Sequence, residues 1–369
     1  MRCHRIHNNR YPLRFATAAH RRQRGAALVV ALLIFAVAAA LMVGLQRDFT
    51  LHMQRSANNF VQEQSWEYLL GAEDLAAMAL RLDVDEDSIT ESPKDNLTEL
   101  WAQESSPYPL DGGGWLSGRL EDLQGRFNLN NLVSNIAAGT DEDDATETGA
   151  GGAESASQEE PRSPSQQQFI RLLQVLEGED VALTQQEAIA MTEVICDFMD
   201  GDNEPRPQGA EADNYRNLTP PYYPANQALM SISELRAVRG MTEEVFRALA
   251  PLVTVWPSAG TELNVLTASL PILRSLVLGD SLEPLSLIDG EFLWEAREEG
   301  RWDTIETLFA QPIFAGQDIS SIEPLLTQRS DWFLLDAQVE IADREQHLYS
   351  VLERQQRKIT ARYRSLGAL

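Results

Sequence analysis

From Ala26 to Leu45 the chain carries no charged or strongly polar residue, and that run of about 20 residues constrains everything else it can fold into. Rising about 1.5 Å per residue as a helix, it covers roughly 30 Å, the thickness of a bilayer's hydrocarbon. Seven arginines and no acid precede Gly25: Arg2, Arg5, Arg10, Arg14, Arg21, Arg22 and Arg24. A basic flank ahead of an apolar span stays in the cytoplasm, so everything after Gln46 is expected on the other side.

The whole chain has 30 basic and 56 acidic residues; without the seven leader arginines the balance is 23 against 56, about −33. A domain this acidic repels nucleic acid and anionic lipid, and its natural charged partners are cations, calcium above all. Cys3 lies in the leader and Cys196 stands alone beyond it, so no intrachain disulfide is possible there. His4, His7 and His20 also lie in the leader, leaving His52 and His347 far apart. A zinc site or a histidine-activated nucleophile has little to build on, and no enzyme is read here.

Phe49, Met53, Phe60, Trp66, Leu69, Leu70, Leu75, Met78 and Leu82 continue at helical spacing, with no proline until Pro93. The simplest reading is one continuous helix from Ala26 to about Leu82; a break near Gly44 is the alternative. In "WLSGRLEDLQGRF", Leu116, Gly118, Leu120 and Asp122 alternate with Trp115, Ser117, Arg119 and Glu121, as a strand requires. Phe333, Leu335, Ala337, Val339 and Ile341 alternate in the same way, followed by a turn at "ADREQ" and by "HLYSVLER" and "KITARYRSL". A small antiparallel sheet is therefore split, and what lies between its parts is an insertion. The insertion opens with an acidic, small-residue tract from Gly139 to Gln168 that lacks aromatics and reads as disordered. Beyond it "FIRLLQVLEG", "TQQEAIAMTEVICDFMDG" with Thr184 as cap, "SISELRAVRGMTEEVFRAL" and "TASLPILRSLVLG" read as helices.

Asp197, Asp200, Asp202, Glu204, Glu211 and Asp213 fall within 17 positions among glycines and prolines. Such a loop can wrap a hard cation that wants about six to eight oxygens. Pro205, where an EF-hand needs glycine, excludes that motif, and a solvated acidic turn is the plain alternative. "VRGM", Val238 to Met241, resembles the turn of a helix-hairpin-helix that offers amides to DNA phosphate, although Gly240 can equally just turn the chain.

Arg24-Gly25 followed at once by an apolar helix from Ala26 resembles a prepilin-type leader, which is cut after the glycine rather than beyond the apolar region. Most prepilin-like subunits carry glutamate at the fifth mature position; here it is Val30, which suits a subunit at a filament end. With "LQGRFNLNNL", "DFMDGDNEPRPQGAEADNYRNLTPPYYPANQAL", "SISELRAVRGMTEEVFRALAPLVTV", "LNVLTAS", "WFLLDAQVEI" and "LYSVLER" in order, the chain resembles the minor pseudopilin K family of type II secretion over nearly its whole length. Its departures are the tract at 139–168 and Leu266, where the family often has asparagine.

The resemblance implies an α+β pseudopilin fold: a long N-terminal helix packed on a small antiparallel sheet, with a large, mostly helical inserted domain holding the helix-hairpin-helix-like unit. The expected divisions are a leader at 1–25, the helix at 26–83 with 26–45 in the membrane, and a first sheet region at 84–135. A disordered acidic insertion at 136–168, a helical domain at 169–325 and the last strands at 326–369 follow. It implies cleavage between Gly25 and Ala26 by a prepilin peptidase, methylation of Ala26, and an inner-membrane, single-pass protein with a periplasmic domain. It also implies a non-enzymatic tip complex with minor pseudopilins of the I and J types, and contact with secreted cargo or the outer-membrane secretin. Leu28, Val29, Val30, Leu32, Leu33 and Phe35 are expected to pack against neighbouring helices. Structural calcium is expected in the acid-rich loop, with Asp200, Asp202, Glu204, Glu211 and Asp213 as candidates. The rival readings are a membrane-anchored periplasmic DNA receptor of competence type, disfavoured by net acidity, and an uncut anchored hydrolase, disfavoured by the shortage of histidine.

Overall fold

The computed structural model describes residues 25–89, 93–103, 106–133, 162–178, 181–277, 279, 281–315, 319–320 and 322–367. The leader at 1–24 and most of the tract expected to be disordered, 136–161, lie outside these residues. By Cα proximity the chain forms two units, one ending at Glu63 and one running from Gln64 onward. A single helix, α1 (Ala26–Asp87), passes through Gly44 without interruption and ends beyond the expected residue 83. In the first unit none of its residues is buried. In the second, Leu69, Ala72, Ala76 and Leu80 are buried at the three- and four-residue spacing of one helical stripe.

That stripe belongs to a five-stranded antiparallel sheet domain. Its strands are β1 (Tyr108–Pro109), β2 (Trp115–Asp122) and, after the insertion, β7 (Trp332–Ile341), β8 (Arg344–Gln355) and β9 (Lys358–Ser365), in the order β1-β2-β7-β8-β9. The insertion is thus bridged by direct pairing, with Leu116 opposite Val339 and Leu120 opposite Leu335. Phe333, Leu335, Ala337, Val339 and Ile341 are all buried, as their alternation requires. Ala342 and Asp343, both at positive φ, form the tight β7–β8 turn. Ion pairs tie α1 to the sheet. Glu73 accepts two bonds from Arg364 at 2.7 Å and one from Ser350 Oγ at 2.7 Å, and Asp83 Oδ2 accepts from Arg354 Nη1 at 2.7 Å.

The inserted domain contains the two-residue strands β3 (Phe127–Asn128), β4 (Val253–Thr254), β5 (Leu263–Asn264) and β6 (Leu326–Thr327). Its helices are α2 (Pro164–Gln174), α3 (Gln185–Met199), α4 (Ala212–Arg216), α5 (Glu243–Leu249), α6 (Leu270–Ser275), α7 (Leu287–Glu298) and α8 (Ile305–Phe309). β3 pairs with β4, and β5 with β6, in parallel. Two expected boundaries are corrected. The tract called disordered at 136–168 gives way to structure by residue 162. Ser163 caps α2 in a capping box with Gln166 and Pro164 opens it, a start signal hidden by the polar composition around it. The first sheet region does not extend to 135: Phe127, Leu129 and Leu132 enter the core of the helical domain, where Phe127 stacks on Phe169 at 5.2 Å. Asn130 fixes that crossing, accepting from Leu229 N and donating to the carbonyls of Leu229 and Val255.

Candidate functional site

Two features of the chain have chemistry that the fold alone does not use. The first is the apolar start of α1. Gly25 O accepts the first helical bond from Val29 N, and Ala26 opens the helix. Leu28, Val29, Val30, Leu32, Leu33 and Phe35 are 53–72% exposed. This part of α1 is long and apolar enough to cross a membrane. Apolar surface on all sides of a helix needs lipid or other helices to cover it.

The second is the acidic loop that leaves α3. Thr184 and Glu187 form a capping box that fixes the start of α3, and Asp200 is its C-cap. Asp197, fully buried in the last turn, accepts from Arg206 N and from Arg206 Nη1 at 2.5 Å, while the same Nη1 reaches Asp200 Oδ2 at 2.5 Å. The guanidinium thereby bends the loop back over the helix end. Gly209 lies against this pair: a Cβ there would sit 1.8 Å from Asp197 Oδ2, so no side chain fits. Beneath the loop Tyr215, also fully buried, packs on Phe198 and Tyr222 at ring distances of 5.7 and 5.3 Å.

Of the five expected ligands the fold brings together three: Asp200, Asp202 and Glu211 each offer an oxygen within 4.8 Å of the others. Glu204 stays exposed, where its backbone N–H donates to Asp202 Oδ1, and Asp213 is exposed on α4 beside Arg216 at 3.1 Å. Asn226 was not among the candidates. It adopts φ +46°, donates from its side-chain amide to Asp202 O, and keeps its own Oδ1 buried. No periodicity marks an asparagine so far along the chain; tolerance of the left-handed region is the only local hint.

Asp200 Oδ1, both Glu211 oxygens and Asn226 Oδ1 are buried without a hydrogen-bond partner. Oxygen atoms stripped of water and of donors, on an all-oxygen set of side chains, fit a hard divalent cation. Burial, and then the charges of Asp197, Asp200 and Asp202, push the Glu211 carboxyl above its usual range. That is the sign of a group lacking a positive partner.

"VRGM" joins a 3₁₀ turn, Ile232–Ala237, to α5, with Gly240 at φ +86°. Arg236 there is engaged by Glu243 and lies over Phe246.

Residues 125–258 match the family model described as Type II secretion system (T2SS), protein K. The chain is 31% identical over 335 residues to the type II secretion system protein K of Aeromonas hydrophila, covering 90% of this chain and 94% of that one. It is also 31% identical over 350 residues to the protein of the same description in Pseudomonas aeruginosa, covering 94% of each. Its fold matches a chain from the crystal structure of the GspK-GspI-GspJ complex of the enterotoxigenic Escherichia coli type 2 secretion system. That match has a TM-score of 0.64 at 24% identity and covers 85% of this chain and 100% of the other.

Proposed function

The chain belongs to the type II secretion system protein K family, and from that premise we propose that it is a minor pseudopilin at the tip of a periplasmic pseudopilus. Cleavage after Gly25 leaves Ala26 as a new N-terminus, open to methylation, on an apolar helix held in the inner membrane. Leu28, Val29, Val30, Leu32, Leu33 and Phe35 then pack against the helices of neighbouring pseudopilins. By analogy with the complex named in the related crystal structure, those neighbours are the I and J subunits. Val30 avoids burying a carboxylate, which a subunit with no neighbour above it does not need. The bulky inserted domain keeps a further subunit from stacking on the tip, and the assembly supports export of folded cargo through the secretin. The role is structural rather than enzymatic.

The observation that carries this reading is the combination of 31% identity over an alignment spanning 90% of the chain with an exposed apolar helix start. Complementation tests it. In a strain lacking this chain, the wild-type protein should restore export of a folded exoprotein, and Gly25→Leu should not. Full restoration by Gly25→Leu would contradict the role of cleavage.

Calcium in the acid-rich loop is part of the same proposal. Asp200, Asp202 and Glu211 would hold it, with Asn226 Oδ1 as a further oxygen, and the cation would engage the oxygens of Asp200 and Glu211 that the fold leaves without donors. Arg206 already positions the loop for this by neutralising Asp197 and one oxygen of Asp200.

A further inference from the structure

A second group of acids lies in the sheet domain, away from the loop just described. Asp83 comes from the end of α1, and Asp95 and Glu99 from the segment that follows it. Each offers an oxygen within 4.8 Å of the others. Asp83 and Asp95 are buried, Asp95 completely. The only cation bonded to them among the described residues is Arg354 on β8: Nη1 donates to Asp83 Oδ2 at 2.7 Å and Nη2 to Asp95 Oδ2 at 2.5 Å. Ser330 N also donates to Asp95 Oδ2, at 2.7 Å. Glu99 accepts from Asn96 N at 3.2 Å, from Asn96 Nδ2 at 2.8 Å and from Trp101 Nε1 at 2.7 Å.

One buried oxygen remains outside this network. Asp95 Oδ1 has no access to water and no donor. Three carboxylates against one guanidinium also leave two negative charges uncompensated in a largely buried place, which is unfavourable unless something neutralises them. A cavity of about 250 Å³, lined by Leu82, Asp83, Asp85, Glu86, Ile89 and Leu100, opens beside Asp83.

We propose that Asp83, Asp95 and Glu99 form a second site for a hard divalent cation, calcium or magnesium, that fastens the end of α1 to the sheet. The charge of such an ion balances the group, its preference for oxygen suits the donors, and the unpartnered Asp95 Oδ1 gains a ligand. The site is independent of the acidic loop and does not rest on the loop's holding calcium.

Terbium, a luminescent stand-in for calcium, tests this on the full chain in detergent. Trp101 touches Glu99, so an ion on Glu99 lies close enough to the indole to be sensitised by it. The double variant Asp200→Asn with Glu211→Gln removes two of the loop's negative charges; it should keep a saturable, tryptophan-sensitised terbium signal that calcium or magnesium displaces. Asp83→Asn and Glu99→Gln, each in that background, should weaken terbium binding about tenfold or more, with unchanged circular dichroism. Trp101→Phe should abolish the emission but leave calcium uptake by dialysis intact. Loss of the signal in the loop variant would place the ion in the loop and overturn the proposal. So would terbium binding that Asp83→Asn and Glu99→Gln leave unaltered, or absence of any signal in the wild-type chain.

Discussion

Glu211 puts the loop's chemistry to its sharpest test at a single side chain. Both its oxygens are buried and unpartnered, and its carboxyl is pushed upward by burial and by its acidic neighbours. Glu211→Gln should therefore lower the melting temperature by several degrees in calcium and leave it unchanged or raised in chelator, because it replaces an anionic ligand with a weaker neutral one in the first case and removes an unsatisfied charge in the second. A uniform effect in both conditions would mean that no cation uses this residue. Gly209→Ala should destabilise by about 2 kcal/mol in urea unfolding, since the new Cβ has to displace the Asp197 carboxylate. Glu73 gives the pH dependence. Burial acts to raise it, but the bonds from Arg364 and Ser350 prevail and hold it below its ordinary value of 4.5. A carboxyl depressed in the folded state stabilises above its unfolded value and loses that contribution as pH falls through the folded one. The stability gap between wild type and Glu73→Gln should shrink as the medium is acidified below 4.5. A gap independent of pH would contradict the pairing. At this scale the sequence exposed the acids by type and crowding, but not their grouping. Asp200, Asp202 and Glu211 converge only because Arg206 folds the loop back and Asn226 ties down Asp202, contacts that no local spacing encodes.

Among the elements, α1 changes character along its length. Leu69 is fully buried against the sheet domain while Leu75, less than two turns on, is 61% exposed. Leu69→Ala should cost about 2–5 kcal/mol and Leu75→Ala close to nothing, read by denaturant unfolding of the full chain. Similar costs at both positions would mean that the buried stripe is misassigned. Long periodic elements were legible from sequence: the helix from its apolar spacing, and β2 and β7 from strict alternation. Short ones were not. β3, β4, β5 and β6 have two residues each, too few to display a period, and their pairing depends on chain segments more than 60 residues apart. α7 and α8 fell inside the expected helical domain without being singled out, and α2 was entered too late because its cap lies in a low-complexity tract.

For the whole molecule, the sequence disclosed the division into apolar helix, split sheet and insertion, because each has a different hydrophobic pattern. It did not disclose that residues 127–132 cross into the inserted domain, since Asn130 makes that junction through backbone groups about 100 residues or more away. The excess of acid after the leader makes cations the natural stabilising partners. Chelation should accordingly lower the melting temperature of the full chain, and an unchanged melting curve would count against bound calcium. The pilin-like role depends most directly on one peptide bond, between Gly25 and Ala26. The decisive measurement is the intact mass of the protein from membranes of cells with and without a prepilin peptidase. The predicted result is loss of residues 1–25 only when the peptidase is present, with a methyl group on Ala26. A chain of full length in both membranes would contradict it and make the apolar helix a permanent anchor.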